Sequence, residues 1–406
     1  MSDHDELDIN DGVIVARQPI FDAGWDVIAY ELLYRPLSDD AAPVGPEAMT
    51  AGVLANAFSE LGLDLLVGDR PAHINVTRDF LLDMRPLPLE PRRTVLELVE
   101  DQQVDKALIA VLEEAVGDGF TLALDDFRHA PKMDALLDLA SIVKLDVREL
   151  DARQLEAEVR KLSGRSNLTL VAEKVETAEE YELCRELEFD AYQGYFFALP
   201  ELSRTPGTPT KELGTLCALA ATDENTTLEE LEAIVRRDAG LSHKLLRYAN
   251  SAHVSPLRPI ESLRHAVTMI GAVPIRRWGL LMALSGLRDA PSHLLEVALL
   301  RARMSELLAP SMRAAPDRAF TAGLFSLLDA LTGREMDELV AELKFDERLS
   351  DALVRHDGPE GAVLDATLAY ERGAFDDAAF HVRPDVLADA YTQALRWSDE
   401  LAPASA

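Results

Sequence analysis

Polar side chains lie within short apolar runs along the first half of the chain, and they are the residues best able to do chemistry. Near the end of each run after the first stands an acid, an amide or an amine: Glu31, Asn75, Glu97, Asp125 with Asp126, Lys144, Glu173 and Gln193. Carboxylates are seldom buried unless they are paired or bind metal. For any one of them an exposed strand-end position is the simpler interpretation, but their recurrence on run after run favours a shared site.

Five carboxylates and an amide oxygen make a donor set suited to a hard cation, Mg²⁺ or Mn²⁺. The adjacent pair Asp125–Asp126 would let one carboxylate bridge two ions while its neighbour holds the second ion. Two ions about 4 Å apart bind the attacking and leaving oxygens of a phosphodiester and generate hydroxide near neutral pH. Lys144, placed among these acids, would then anchor the nucleophilic water or a phosphate oxygen. An internal salt bridge is the alternative role for Lys144.

The elements that would position these residues alternate between strands and helices. Eight β-branched-rich runs predict strands: Val13–Ile20, Val27–Tyr34, Ala72–Val76, Thr94–Val99, Phe120–Phe127, Ile142–Asp146, Leu168–Ala172 and Ala191–Phe197. Helical patterns lie between most of them: Pro46–Leu63, Gln102–Val116, Asp134–Ala140, Val147–Leu162 and Ala178–Leu187. The connection Asp22–Asp26 is too short for a helix and predicts a hairpin. The pattern predicts an α/β modified TIM-type barrel whose first strand pair is a hairpin, with its site at the carboxyl ends of the strands.

The second half of the chain has a different pattern. Leu202–Pro209 is rich in Ser, Thr, Pro and Gly, which is typical of a linker, and almost every later segment has a helical period. Thr227 and Glu230 form a predicted capping box at the start of a helix. We therefore predict a barrel domain over 1–202, a linker over 203–209 and an all-α domain over 210–406.

Composition excludes several classes of protein. The chain has 406 residues with 72 acidic against 40 basic side chains, a net charge of −32. Such a surface argues against nucleic acid, whose binding rests largely on neutralising phosphates with Lys and Arg. Two cysteines provide no disulfide framework or Cys-based zinc site. No apolar run reaches the roughly 18 residues of a membrane span, and Met1–Asn10 is acidic where a secretion signal would be basic. We expect a cytoplasmic protein without membrane insertion.

In order and spacing, the motifs of the first half resemble the EAL domains that hydrolyse cyclic di-GMP. The matching runs are RQPIFD, YELLYR, HINVT, LELVE, LALDDF, VKLD, VAEKVE and QGYFFALP, between about Val13 and Pro200, and the namesake triplet is here Glu31-Leu32-Leu33. The resemblance implies that the first metal is held by Glu31, Asn75, Glu97 and Asp125. It implies that the second metal is held by Asp125, Asp126 and Glu173. It also implies that Lys144 positions the water. The catalytic residues would then be Lys144, Glu173 and Asp125. Nucleotide contacts are implied for Gln18, Arg35, Gln193 and Pro200.

The chain departs from the family pattern at three places. Phe127–Pro131 replaces the Gly-rich, Ser-containing loop that in EAL enzymes links metal occupancy to dimerisation. The segment between the second and third strands is short. Lys174 stands where family members commonly have glycine, which predicts a tighter or more crowded turn.

The helical half resembles the HDOD domain, a degenerate relative of HD-type metal phosphohydrolases, most clearly over Arg236–Leu284. Where the metal-binding His-Asp pair would fall, the chain has Ser326 and Leu327, so we expect no metal there. His356–Asp357 is predicted to lie at a helix end, because Gly358 and Pro359 follow it.

The order of the two domains resembles the YuxH-type EAL–HDOD signalling architecture, in which some members hydrolyse cyclic di-GMP and others have lost the chemistry. The sequence therefore favours a phosphodiesterase that converts cyclic di-GMP to linear pGpG with two Mg²⁺ or Mn²⁺ ions and a regulatory HDOD domain. A non-catalytic adaptor that binds the nucleotide or recruits a partner is the alternative. An unrelated metabolic barrel enzyme is disfavoured, because no Gly-rich phosphate loop follows the seventh or eighth strand. The expected partners are cyclic di-GMP and an unknown protein bound by the HDOD domain, and a homodimer remains open.

Overall fold

The computed structural model divides the chain into two units. It describes residues 13–36, 62–84, 86–99, 102–165, 167–194, 226–250, 262–284, 292–343, 345–379 and 382–401, together with 215, 218–220, 222 and 260. One unit comprises Met1–Phe197 with Leu368–Arg396, and the other comprises Ala198–Thr367 with Trp397–Ala406. The predicted linker over 203–209 lies outside the described residues. The predicted helical domain over 210–406 differs from this division at Leu368–Arg396, which groups with the first unit.

Within the described residues, eight strands close into a barrel in the order of the sequence. They are β1 Val13–Asp22, β2 Val27–Pro36, β3 Ala72–Val76, β4 Thr94–Leu98, β5 Thr121–Leu124, β6 Ile142–Asp146, β7 Thr169–Glu173 and β8 Ala191–Tyr192. Strand β1 pairs antiparallel with both β2 and β8, and the other neighbours are parallel. The predicted modified barrel is confirmed, including its initial hairpin.

Local chemistry explains the hairpin and the parallel strands. Asp22 closes the turn, because its carboxylate Oδ1 accepts from the backbone N–H groups of Gly24 at 2.8 Å and Asp26 at 3.0 Å. Every residue of β4 is buried, as expected for a parallel strand that is covered on both faces. Parallel strands of this kind appear in the sequence as nearly continuous apolar runs, so their position could be predicted.

Six α-helices of the described residues lie between β2 and β8, and the last two of them begin at capping boxes. They are α1 Leu63–Val67, α2 Arg78–Asp83, α3 Lys106–Gly117, α4 Asp134–Leu137, α5 Ala152–Leu162 and α6 Ala178–Glu186. Asp151 with Gln154 caps α5, and Thr177 with Glu180 caps α6, each in a reciprocal capping box. The predicted helix Pro46–Leu63 falls almost entirely outside the described residues.

Two tyrosines join the late segment Leu368–Arg396 to the first strand of the barrel. The Tyr370 hydroxyl donates to the Val15 carbonyl at 3.0 Å, and the Tyr391 hydroxyl accepts from the Arg17 backbone N–H at 3.1 Å. Both tyrosine side chains are buried. They supply partners for backbone groups of β1, so this segment contributes to the barrel unit.

The second half of the chain is helical, as predicted. Its helices are α7 Leu228–Arg236, α8 Ala239–Ala249, α9 Leu263–Ile270, α10 Ala272–Leu284, α11 Ser292–Leu308, α12 Pro316–Phe325, α13 Leu328–Thr332, α14 Met336–Leu343, α15 Glu347–Val354, α16 Gly358–Glu371, α17 Phe375–Ala379 and α18 Pro384–Leu401. The capping box of Thr227 and Glu230 begins α7, as predicted. His356 and Asp357 lie between α15 and α16, which confirms their predicted place at a helix end. Among the helices described, none is both apolar and long enough to cross a bilayer.

Candidate active site

The barrel brings the predicted polar residues to the carboxyl ends of its strands. Glu31, Asn75, Glu97, Lys144 and Glu173 lie on β2, β3, β4, β6 and β7. Asp125 and Asp126 follow β5 directly, and Gln193 follows β8. Because neighbouring strands are paired in register, Asn75 stands beside Glu97 across β3 and β4. These strand ends form one site.

Lys144 is the centre of this site. Within the described residues, its ammonium Nζ lies 3.0 Å from Glu31 Oε2, 2.9 Å from Glu97 Oε1 and 3.2 Å from Asp125 Oδ1, and it also contacts Glu173 Oε1. The lysine side chain is fully buried. We call these five residues the Lys144 cluster. The predicted internal salt bridge therefore exists in the structure, and it involves four carboxylates.

Side-chain amides complete the surroundings of Glu31. Asn75 Nδ2 donates to Glu31 Oε1 at 2.9 Å, and Gln193 Nε2 donates to Glu31 Oε2 at 2.8 Å. Gln193 Nε2 also donates to Gln18 Oε1 at 2.9 Å. Two of the predicted nucleotide-binding residues, Gln18 and Gln193, are thus hydrogen-bonded to each other beside the predicted metal ligands.

Four carboxylates around one ammonium, three of them buried, leave an excess of negative charge. Burial would raise the pKa of Glu31, but the Lys144 charge and the amide donors lower that pKa to about 2. Burial raises the pKa values of Glu97 and Glu173 well above the usual range, despite the attraction of Lys144. Burial alone would lower the pKa of Lys144, and the surrounding carboxylates raise it instead. A cation added to this site would relieve the cost of ionising Glu97 and Glu173.

Two oxygens test whether these residues fit a metal. Asn75 Oδ1 and Glu97 Oε2 are buried and accept no hydrogen bond from the residues that the structure describes, and both belong to the predicted first ligand set. Buried polar atoms without partners are uncommon in folded proteins, and a bound cation would supply the missing partner. As the side chains stand, no group of three His, Cys, Asp or Glu residues among those described is arranged to hold a metal. The ammonium of Lys144 lies between the acids and is their present counter-charge. The surrounding carboxylate and amide oxygens are hard donors of the kind that Mg²⁺ and Mn²⁺ prefer, so the donor set fits such an ion.

His73 is a member of the site that sequence reasoning missed. Its Nδ1 lies 2.6 Å from Glu97 Oε1, and both side chains are buried. Burial and the Lys144 charge lower the pKa of His73 to about 3, so the imidazole is neutral at pH 7. His73 lies two positions before Asn75 in β3, and side chains two apart share a face of a strand. That spacing could have identified it.

Asp126 lies outside the Lys144 cluster and has a different cation. Lys174 Nζ lies 3.4 Å from Asp126 Oδ1 and 2.5 Å from Asp146 Oδ2. Asp146 was not predicted as a site residue, although it ends β6 two positions after Lys144. Burial and the charge of Asp125 raise the pKa of Asp126.

The structure places Arg35 away from the Lys144 cluster and does not describe Pro200. Arg35 is exposed at the end of β2, where its guanidinium forms an ion pair with Asp376. Pro200 lies outside the described residues. In the substituted loop, Phe127 is buried and its backbone N–H donates to the Lys144 carbonyl at 3.0 Å.

In the helical half, an arginine occupies the neighbourhood of the substituted His-Asp pair. Arg301 is buried on α11, and its Nη1 donates to Ser326 Oγ at 3.1 Å. Ser326 Oγ donates in turn to the Gly323 carbonyl at 2.8 Å. Burial raises the pKa of Asp329 to about 6, while the Ala330 backbone N–H and the Arg301 charge act to lower it. We call Arg301, Ser326 and Asp329 the Arg301 cluster.

Comparison with known families assigns both halves. The family model of the EAL domain matches residues 75–200, and that of the HDOD domain matches residues 214–338. The chain is 29% identical to the uncharacterized protein YuxH of Bacillus subtilis over 405 residues, covering 96% of this chain and 98% of YuxH. It is also 29% identical to the cyclic di-GMP phosphodiesterase CdgJ of Vibrio cholerae over 404 residues, covering 95% of this chain and 92% of CdgJ.

Among solved structures, the chain is similar to a manganese and cyclic di-GMP complex of Klebsiella pneumoniae BlrP1. The identity is 22%, the TM-score is 0.39, and the match covers 47% of this chain and 56% of BlrP1.

Proposed function

This chain carries an EAL domain followed by an HDOD domain, and we propose that it is a metal-dependent phosphodiesterase that hydrolyses cyclic di-GMP to linear pGpG. One observation carries the proposal: four carboxylates, three of them buried, meet at the barrel's strand ends, where buried oxygens of Asn75 and Glu97 accept no hydrogen bond from the described residues. The relative CdgJ, described as a cyclic di-GMP phosphodiesterase, supports the choice of substrate.

For the two ions we propose the ligand sets that the resemblance to EAL domains implies. Glu31, Asn75, Glu97 and Asp125 would hold the first Mg²⁺ or Mn²⁺, and Asp125, Asp126 and Glu173 would hold the second. Bound ions of this kind supply Lewis acidity and lower the pKa of bound water. Manganese in the related BlrP1 complex agrees with the use of a divalent cation.

The remaining side chains would position substrate and water. Lys144, with Glu173 and Asp125 beside it, carries a fixed positive charge with which to orient the attacking water or a phosphate oxygen. Gln18 and Gln193 offer amide groups to the guanine base or the ribose-phosphate, and the exposed Arg35 offers a charged donor to a phosphate. Pro200 would provide an apolar contact with the nucleotide.

We propose that the protein is cytoplasmic and that the helical domain is its regulatory part. Arg301 donates to Ser326, which by the resemblance stands in place of the metal-binding His-Asp pair, and this supports a role without metal chemistry. We therefore assign to the HDOD domain the recruitment of a protein partner that has yet to be identified. Whether the chain forms a homodimer is a question for analytical ultracentrifugation.

The test is direct. The purified full chain is incubated with cyclic di-GMP and Mn²⁺, and the products are separated by chromatography. We expect pGpG to accumulate in the presence of Mn²⁺ and not in the presence of a chelator. Nucleotide binding without any product, at several metal concentrations, would contradict the proposal.

One observation favours the adaptor as a second candidate. Lys174 sets an ammonium 3.4 Å from Asp126, a predicted ligand of the second ion, and the loop after Asp126 lacks the glycines and serines of the family pattern. In the adaptor the barrel would bind cyclic di-GMP without hydrolysing it, and the HDOD domain would recruit the partner. Binding with intact affinity but no pGpG identifies this case.

A further inference from the structure

Lys174 is held in an unusual place. It follows Glu173 directly at the end of β7, and its φ of 57° is a left-handed conformation that residues other than glycine seldom adopt. The next residue is fixed to the neighbouring strand, because the Val175 backbone N–H donates to the Gln193 carbonyl at 3.0 Å. The backbone of this turn is therefore set by the barrel.

The side chain of Lys174 is directed by a carboxylate that is itself anchored. Asp146 Oδ1 accepts from the backbone N–H groups of Arg148 at 2.8 Å and Glu149 at 3.1 Å. Its other oxygen, Oδ2, accepts from Lys174 Nζ at 2.5 Å. Burial acts to raise the pKa of Asp146, but Lys174 and these amides lower it, so this partner stays ionised.

The same ammonium also reaches the predicted second metal site. Lys174 Nζ lies 3.4 Å from Asp126 Oδ1, and Asp126 also has a left-handed backbone, with φ of 40°. A divalent ion on Asp126 would have to displace this ammonium or bind beside it. Both events are unfavourable, because like charges repel and Lys174 would lose a partner.

We propose that Lys174 is a metal-affinity determinant, whose fixed positive charge weakens binding of the second divalent cation at Asp126 relative to the first cation in the Lys144 cluster. This inference rests on the proposed function for the identity of the two ion sites. It predicts that the chain holds one ion tightly and the other weakly, so that turnover depends on the concentration of free metal.

The experiment measures metal binding without turnover. Mn²⁺ is titrated into the full chain in the absence of nucleotide, and free Mn²⁺ is followed by electron paramagnetic resonance. Lys174→Asn removes the charge and retains a residue that tolerates the left-handed backbone, and Lys174→Arg is the matched control that keeps the charge. Half of the lysine side chain is exposed, so solvent screening limits the effect.

We expect Lys174→Asn to bind the second Mn²⁺ about tenfold more tightly than wild type, with the first affinity unchanged within about twofold. Lys174→Arg should retain the wild-type difference between the two sites. Lys174→Gly, which suits the backbone best, should reproduce the asparagine result if asparagine disturbs folding.

Three outcomes would overturn the inference. Equal second-site affinity in wild type, Lys174→Asn and Lys174→Gly would show that the lysine charge has no effect, while the proposed function stands. A gain that Lys174→Arg shares would assign the effect to the turn rather than to the charge. Failure of every variant to bind any Mn²⁺ would overturn the inference and the proposed function together.

Discussion

The Lys144 cluster and the Arg301 cluster are both built around a buried cation, but their charge balance differs. In the barrel, one ammonium faces four carboxylates, and the pKa values of Glu97 and Glu173 are well above the usual range. Buried oxygens of Asn75 and Glu97 accept no hydrogen bond from the described residues. In the helical half, the guanidinium of Arg301 donates to the hydroxyl of Ser326, and its charge acts to lower the pKa of Asp329.

This difference separates a cluster whose carboxylates outnumber its cation from one whose named residues carry one charge of each sign. Buried charge is costly unless it is paired, so the excess acids of the Lys144 cluster favour the entry of a divalent ion. The Arg301 cluster has no such excess among its named residues. A cluster around a buried cation therefore indicates a metal site only when the carboxylates outnumber the cations beside them.

The largest expected effect distinguishes the acids of the two clusters. Asp125→Asn removes the carboxylate that we assign to both ions, and we expect the rate of pGpG formation to fall more than a thousandfold, beyond the roughly 10²–10³ lost with a single electrostatic contact. The fold should be retained, which circular dichroism checks. Asp329→Asn in the Arg301 cluster is the matched control and should leave turnover at the wild-type level. Appreciable turnover in Asp125→Asn with Mg²⁺ or Mn²⁺ would contradict the two-ion assignment.

The next effect concerns the two buried cations. Lys144→Met leaves four acids without their ammonium, and removing one partner of a buried pair typically costs about 3–5 kcal/mol of unfolding free energy. We expect a lower melting temperature without metal, partly restored by Mn²⁺, together with turnover about a hundredfold slower and nearly unchanged affinity for cyclic di-GMP.

Arg301→Met is the matched variant for Lys144→Met in the helical half. It should also lower the melting temperature, because it removes a buried hydrogen-bonded charge. Adding Mn²⁺ should not raise the melting temperature of this variant. A lowered melting temperature with unchanged turnover in Lys144→Met would mean that Lys144 has only a structural role.

A smaller effect tests the Arg301 cluster through pH. The pKa of Asp329 is raised from 3.8 to about 6 in the folded chain, so the folded state binds its proton more tightly than the unfolded state does. Stability from this group is fully present below about pH 4 and is lost as the pH rises through 6. Asp329→Asn should therefore be more stable than wild type above pH 6, by at most about 3 kcal/mol. Melting temperatures between pH 4 and 8 check this, and a difference independent of pH would contradict it.

The smallest effect comes from the exposed ion pair of Arg35 and Asp376, which lies outside the two clusters. It tests how much an exposed charge affects KM. Asp376→Asn frees the guanidinium of Arg35, a proposed phosphate contact, and should lower KM for cyclic di-GMP by no more than about fivefold. Asp385→Asn, which breaks the comparable exposed pair with Arg383, should leave KM unchanged. A rise in KM for Asp376→Asn would exclude competition between Asp376 and the substrate.

Much of the barrel could be predicted because its strands are buried on both faces. The run Thr94–Val99 predicted a strand, and β4 spans Thr94–Leu98. Convergence of the strand ends followed from the topology, which brought Glu31, Lys144 and Glu173 together as predicted.

Contacts that depend on three-dimensional pairing were not predictable in the same way. The sequence pattern did not indicate His73 or Asp146 as site residues. His73 shares a face of β3 with Asn75, and Asp146 shares a face of β6 with Lys144. The placement of the Lys174 ammonium between two acids depends on a turn conformation that the sequence does not specify. A helical period likewise identified helices after residue 360 but could not indicate that Tyr370 and Tyr391 bond to β1.

The contribution of Leu368–Arg396 to the barrel unit has a consequence for how the protein is made. Leu368 follows Phe197 by 171 residues, and this entire interval belongs to the other unit. At about 5–20 residues per second, a ribosome needs roughly 10–30 s to synthesise that interval. Until Tyr370 and Tyr391 have been synthesised, the Val15 carbonyl and the Arg17 backbone N–H lack these tyrosine partners, so the barrel unit is completed only after the intervening unit has been translated.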